Sequence, residues 1–183
     1  MIASANASAK MAGASSALYI AHGLAMLQDF GHDPGAAARS MSIMAASTLI
    51  GNFLVGAFAK RLGVRRILAA GSVTFAIGLV LLANAHSSAM FYVYPPLLGA
   101  GFGAVQVGAM ALLSKCTAVH RFAAISGIAI SLQTVASAIT PFLGGWMFDT
   151  QHTYMPLFVV LVALNLLTAA FLLFGKAMYP RGA

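Results

Sequence analysis

The chain has 183 residues, of which 61% are hydrophobic and 7% charged, whereas a soluble domain carries roughly 25% charged residues. That excludes a soluble globule and leaves an integral membrane protein. The net charge of +7 would suggest nucleic acid in a soluble chain, but the cations cluster in short links between apolar runs, where membrane topology accounts for them and no nucleic acid is needed.

Residues 1–16 are rich in Ala and Ser, have Lys10 as their one charge, and lack the apolar core of a cleavable signal peptide. They are expected to be a poorly structured or truncated N-terminus. The first span, Met11 to Leu27, has seventeen residues, at the low end for crossing about 30 Å of hydrocarbon. Gly31 suits a left-handed helix cap, and Asp33-Pro34 reads as an N-cap followed by proline at the first helical position. Helix two then runs from near Ala36 to Ala59, and its last twenty residues, Ser40 to Ala59, carry no charge.

A basic turn, Lys60 to Arg66, separates helix two from helix three, Ile67 to Ala85. The next link, Asn84 to Ser88, has no Lys or Arg. Helix four, Ala89 to Leu113, contains Tyr94-Pro95-Pro96, where missing backbone donors predict a kink. Lys115 to Arg121 is the second basic link. Helix five runs from Phe122 to about Phe148, Asp149 to Thr153 is a link, and helix six spans Met155 to Gly175 with Pro156 at its start. The six-helix unit is thus 17–176, followed by a tail at 177–183.

Charge orients these spans. The N-terminus, the second and fourth links and the tail hold nine of the ten basic residues, and Arg39 alone falls on the other side. Cations stay cytoplasmic during insertion, so both termini are expected in the cytoplasm of a multi-pass protein in the plasma or inner membrane. Cys116, the single cysteine, excludes an internal disulfide and any cysteine metal cluster. Phe53-Leu54-Val55-Gly56 and Phe142-Leu143-Gly144-Gly145 lie 89 residues apart, either by chance or as the mark of a three-plus-three inverted repeat.

Polar residues in the spans fall on faces. Ser126, Gln133 and Ser137 share one side of helix five, Gly99, Gly103 and Gln106 one side of helix four, and helix two offers Ser47, Gly51 and Asn52. These stripes serve either close helix packing or a shared polar cavity. His22 is the sole ionisable side chain placed inside a span, as a coupling group or a simple hydrogen-bonding residue. Helix six is apolar all round and is expected to face lipid, with Asn165 as a packing contact. His32, His86 and His152 are assigned to the outer links, where three separate histidines are a weak metal signal.

Enzyme readings fail on the residues. His-Glu-x-x-His and Gly-x-Ser-x-Gly are both missing. Ala124-Ile125-Ser126-Gly127 is the nearest approach to the serine motif of rhomboid-type proteases, and helix six contains no histidine to act as base. Gly99-x-Gly101-x-Gly103 lies inside a span with no strand before it, so it is no phosphate loop. No catalysis, cofactor or metal is expected.

The stretch from Gly56 to Arg66 resembles the loop signature of the major facilitator superfamily. Gly56, Ala59, Arg61, Gly63, Arg65 and Arg66 fit, while Lys60 stands where the acid usually stands, as in copies from the second half of these transporters. His22 to Gly35 is similar to the end of that family's seventh helix, Leu98 to Gly103 to its tenth, and Pro141 to Asp149 to the end of its eleventh. The closest flavour is that of monocarboxylate and oxalate/formate porters, although Asn52 replaces an arginine that anchors carboxylates there.

The resemblance implies an all-α membrane fold of six transmembrane helices, one half of the family's fold. It further implies secondary active transport of a small organic solute, in a cavity lined by helices one, two, four and five and by His22, Asn52, Gln106, Gln133 and Ser126. The other half of the cavity would come from a missing N-terminal six-helix half or from a second copy. The rival reading is a membrane scaffold that transports nothing.

Overall fold

The computed structural model describes residues 2–174; the expected tail 177–183 and the end of the six-helix unit, with Lys176 and Arg181, lie outside the described residues. Among the described residues the chain forms six helices: α1 (Ile2–Asp29), α2 (Pro34–Leu62), α3 (Val64–Ala83), α4 (Ser88–Cys116), α5 (Val119–Gln151) and α6 (Met155–Phe174). Helices α2 to α6 are long and apolar enough to cross a membrane. The chain is therefore a multi-pass membrane protein.

α1 is the exception in composition, and its packing explains why. It touches all five other helices and buries most of its first half in protein, while Ile20 and Leu24 further along are exposed. Ala9, Ala12 and Ala14 are buried, as are Ser8, Ser15 and Ser16, and the hydroxyls of Ser15 and Ser16 donate back to the carbonyls of Met11 and Gly13. Small residues let helices approach closely without needing strong hydropathy. The segment expected to be poorly structured is accordingly helical from Ile2, well before the Met11 start read from the sequence.

The first link follows its chemistry. Gly31 adopts φ +86°, its N–H donates to Gln28 O, and His32 N–H donates to Leu27 O, the paired bonds of a Schellman ending. Asp33 then caps α2 by accepting from Ala36 N–H at 3.1 Å, with Pro34 at the first position.

The basic turn is shorter than its sequence suggests. Lys60 and Arg61 belong to the last turn of α2, Arg65 and Arg66 to the first turn of α3, and Gly63 alone, at φ +82°, joins the two helices. Long cationic side chains extend from a helix into water, so a charge cluster need not end a helix. Lys60 and Arg61 also suit the negative end of the α2 dipole. The second basic link likewise shrinks to Thr117 and Ala118, because Lys115 lies in α4 and Arg121 in α5.

Glycines set the tightest seam. α4 lies between α2 and α3, with Gly99 and Gly103 against the backbone of Met44 and Thr48 on α2, and Gly101 against Phe75 on the opposite side. Gly51 of α2 meets the Ala100 carbonyl in return. A Cβ at any of these positions would collide with main chain.

The main seams pair as a three-plus-three exchange would have them: α2 packs on α4 and α5 on α1, α3 packs on α4 and, less extensively, α6 on α1, and α3 meets α6. The repeated Phe-Leu pairs sit alike within it: Phe53 and Phe142 are each 74% exposed, and Leu54 and Leu143 are 41% and 40% exposed. This is the organisation of an inverted-repeat half. α6, apolar on every face and expected to face lipid over much of its circumference, buries Leu157, Leu161, Asn165, Thr168 and Leu172 on α1 and α3, and presents Val159, Val160, Leu167 and Phe171 outward.

Candidate functional site

Between α4 and α5 lies a cleft of about 520 Å³ lined by Gln106, Val107, Met110, Ile130, Gln133, Thr134 and Ser137. Its size falls within the roughly 300–1,000 Å³ of small-molecule sites. The faces read from sequence thus bring Gln106 and Gln133 together, with Ser137 one turn beyond Gln133. Thr134 satisfies its hydroxyl by donating to Ile130 O at 3.0 Å. Neither glutamine amide bonds to another described residue, so both keep their donors and acceptors for a solute or water. Gln133 also covers Gly13 of α1, where a Cβ would come within 2.8 Å of its amide nitrogen. Among the described residues no charged side chain lines the cleft.

The other candidates sit elsewhere. Ser126 is on α5 beyond the cleft and donates back to Ala123 O at 3.0 Å. Asn52 lies in the α2–α4 seam with a buried, unpartnered Oδ1 against Gly103. His22 of α1 donates from Nε2 to Pro141 O at 2.9 Å on α5, since a carbonyl can only accept. Gly144 and Gly145 leave room for its ring.

The loop-motif residues divide in the same way. Gly56, Arg61 and Arg66 are exposed, and Gly63 makes the one-residue link. Arg65 reaches across the bundle, and its Nε donates to the Leu172 carbonyl in the last turn of α6.

Sequence reasoning missed a buried hydroxyl chain. Ser40 donates to Ala37 O at 2.8 Å, Tyr94 approaches Ser40 at 2.8 Å, and Tyr19 approaches Tyr94 at 3.0 Å. It joins α1, α2 and α4. Residue spacing gives no sign of it, because each hydroxyl comes from a different helix.

The links α1–α2, α3–α4 and α5–α6 meet at one end of the bundle. His32 donates from Nε2 to Ala85 O at 2.6 Å and stacks on Phe91 at 4.0 Å, while His86 lies on Phe30 at 3.9 Å. Among the described residues no three such groups converge as metal ligands. Tyr154, in the last link, has its phenol pushed above the usual 10.0 by burial first, and then by the carboxylates of Asp29 and Asp149.

Residues 7–182 match the sequence profile described as Major Facilitator Superfamily. The uncharacterized transporter YycB of Bacillus subtilis (strain 168) is 28% identical over 148 residues, which cover 79% of this chain and 37% of YycB. The chain spans well under half the length of that relative.

Proposed function

The chain belongs to the major facilitator superfamily, and on that premise we propose that it is the C-terminal half of a secondary active transporter that moves a small organic solute. The observation that carries this reading is the α4–α5 cleft, where two glutamine amides on facing helices have no hydrogen-bond partner among the described residues. An unsatisfied amide in hydrocarbon costs several kcal/mol, so this pair makes sense beside water or a polar solute. The lining is uncharged, and Asn52 stands in place of a carboxylate-anchoring arginine. From this half, the solute is recognised by hydrogen bonds rather than by ion pairing.

The opposite wall of the cavity comes from a second six-helix unit, either an N-terminal half or a second copy. α2 and α5 present Leu49, Phe53, Val135 and Phe142 outward, and this broad apolar surface suits such a partner as well as lipid. The Lys60 variant of the loop signature supports the C-terminal assignment. The cation distribution supports a cytoplasmic position for both termini, and reporter fusions after Arg66 and after Ser87 should then give opposite answers.

The test is solvent access combined with transport. In a Cys116→Ser background, Gln106→Cys and Gln133→Cys should react with a membrane-impermeant thiol reagent, and solute should slow both reactions. Asn52→Cys, held in the helix seam, should be protected. Gradient-driven uptake should require co-reconstitution with a second six-helix unit. Protection of all three cysteines would favour a scaffold without transport.

A further inference from the structure

A second cavity, separate from the α4–α5 cleft, lies where the three links meet. It holds about 320 Å³, near the lower limit of the roughly 300–1,000 Å³ seen for small-molecule sites. Aromatic rings make its walls: Phe148 and Tyr154 stack at 4.8 Å with planes 16° apart, and Phe30 lies on His86 at 3.9 Å. Phe158 and Met26 close the buried side. The fixed charge in this lining is the carboxylate of Asp29, the last residue of α1.

Ligand classes can be separated on this lining. An inorganic divalent ion needs several converging oxygen or nitrogen ligands, and no such set exists among the described residues. The imidazoles are used otherwise, since His86 packs on Phe30 and His152 meets the edge of Phe148 at 6.3 Å. An anion would be repelled by Asp29 and by Asp149, whose fields both reach the Tyr154 phenol. A neutral apolar molecule would cover the rings but offer nothing to the carboxylate.

A cation with a methylated or alkyl surface satisfies both parts. An open ring face attracts it electrostatically, here one outer face of the stacked Phe148–Tyr154 pair together with Phe30, and a single carboxylate balances its charge. We propose that this cavity is a binding site for a small organic ammonium ion, with Asp29 as counter-ion and Phe30, Phe148 and Tyr154 as the aromatic wall. The site is built from α1, α3, α5, α6 and the links of this one chain, so it does not depend on the second six-helix unit that the transport reading requires.

The experiment is equilibrium binding of radiolabelled choline to the purified full chain in maltoside micelles, which contain no ammonium group. Binding should saturate, tetramethylammonium should displace choline, and the uncharged carbon isostere dimethylbutanol should not. Asp29→Asn should weaken binding about tenfold, and Phe148→Leu severalfold, in keeping with the loss of one charge contact or one ring face. Gln133→Ala, in the other cleft, should leave choline binding unchanged. Absence of saturable binding, equal displacement by the neutral isostere, or full affinity in Asp29→Asn would overturn the proposal. If Asp29→Asn does not fold, displacement by the isostere in the unaltered chain decides the matter. Thiol reactivity at Gln106→Cys tests the transport reading alone, so either idea can fail without the other.

Discussion

The hydroxyl of Tyr19 on α1 donates to the hydroxyl of Tyr94 on α4 across 3.0 Å, with both side chains buried. The direction follows from the far end of the chain: Ser40 has given its proton to Ala37 O, so Tyr94 must donate to Ser40 and Tyr19 to Tyr94. Tyr94→Phe removes the middle member and strands the Tyr19 donor and one Ser40 acceptor. We expect a loss of about 1–3 kcal/mol, whereas Tyr19→Phe leaves the Tyr94–Ser40 bond intact and costs about 1 kcal/mol. Thermal unfolding of both variants in micelles checks the order; equal destabilisation would mean the chain is not cooperative in this direction.

The α2–α4 seam predicts a contrast between two glycines of one helix. At Gly51 a Cβ would run into the Ala100 carbonyl, which is main chain and cannot yield, while at Gly56 nothing lies within 4 Å. Gly51→Ala should therefore separate the helices at a cost of about 1–3 kcal/mol. Gly56→Ala should be neutral or stabilising by up to about 1 kcal/mol, through helix propensity alone. Unfolding midpoints and monodispersity on gel filtration read both; a tolerated Gly51→Ala would show that the seam is looser than described.

These positions also show what the sequence makes legible. Gly31, Asp33 and Pro34 act through local chemistry, so the ending of α1 and the start of α2 could be read directly from the residues. Gln106 and Gln133 were found from helical spacing, which is also local. Asn52 carries the same kind of signal, yet the crossing of α2 over α4 turns it into a seam, and crossings are set by the whole packing. α1 was read as weak because hydropathy measures lipid contact, and the first half of this helix is packed in protein. Charges at Lys60 and Arg66 marked a link correctly but overstated its length, since helical backbone continues beneath side chains that reach water.

Tyr154 gives a pH dependence. Its phenol is raised above 10.0 in the folded chain by burial and by Asp29 and Asp149. A raised folded value means that its contribution to stability is complete below the unfolded value of about 10 and is lost as pH climbs through the folded one. An ultraviolet difference titration of the chain against Tyr154→Phe should show the Tyr154 phenol ionising with its midpoint above 10.0. Ionisation at or below that point would mean the ring is more solvated than the structure places it.

His22 sets the last prediction, because its position ties it to structure before it ties it to transport. Its Nε2–H donates to Pro141 O, and its ring lies 5.7 Å from Tyr154, so it holds α1 to α5 beside the paired glycines. A carbonyl partner keeps the proton on Nε2 in the neutral and the protonated ring alike, and any proton taken up must enter at Nδ1. Gaining a proton would therefore leave this bond in place rather than break it. Replacement by a neutral donor should be structurally mild and replacement by a ring without one should not. We expect His22→Gln to unfold near the parent temperature and His22→Phe to lose about 0.5–1.5 kcal/mol, the net worth of one hydrogen bond. Transport assays on the reconstituted pair of halves then separate the roles. Solute exchange without a gradient should survive His22→Gln. If gradient-driven uptake alone disappears, His22 carries the coupling proton; if both persist, it is a tie between helices; loss of exchange as well would place it in the path of the solute.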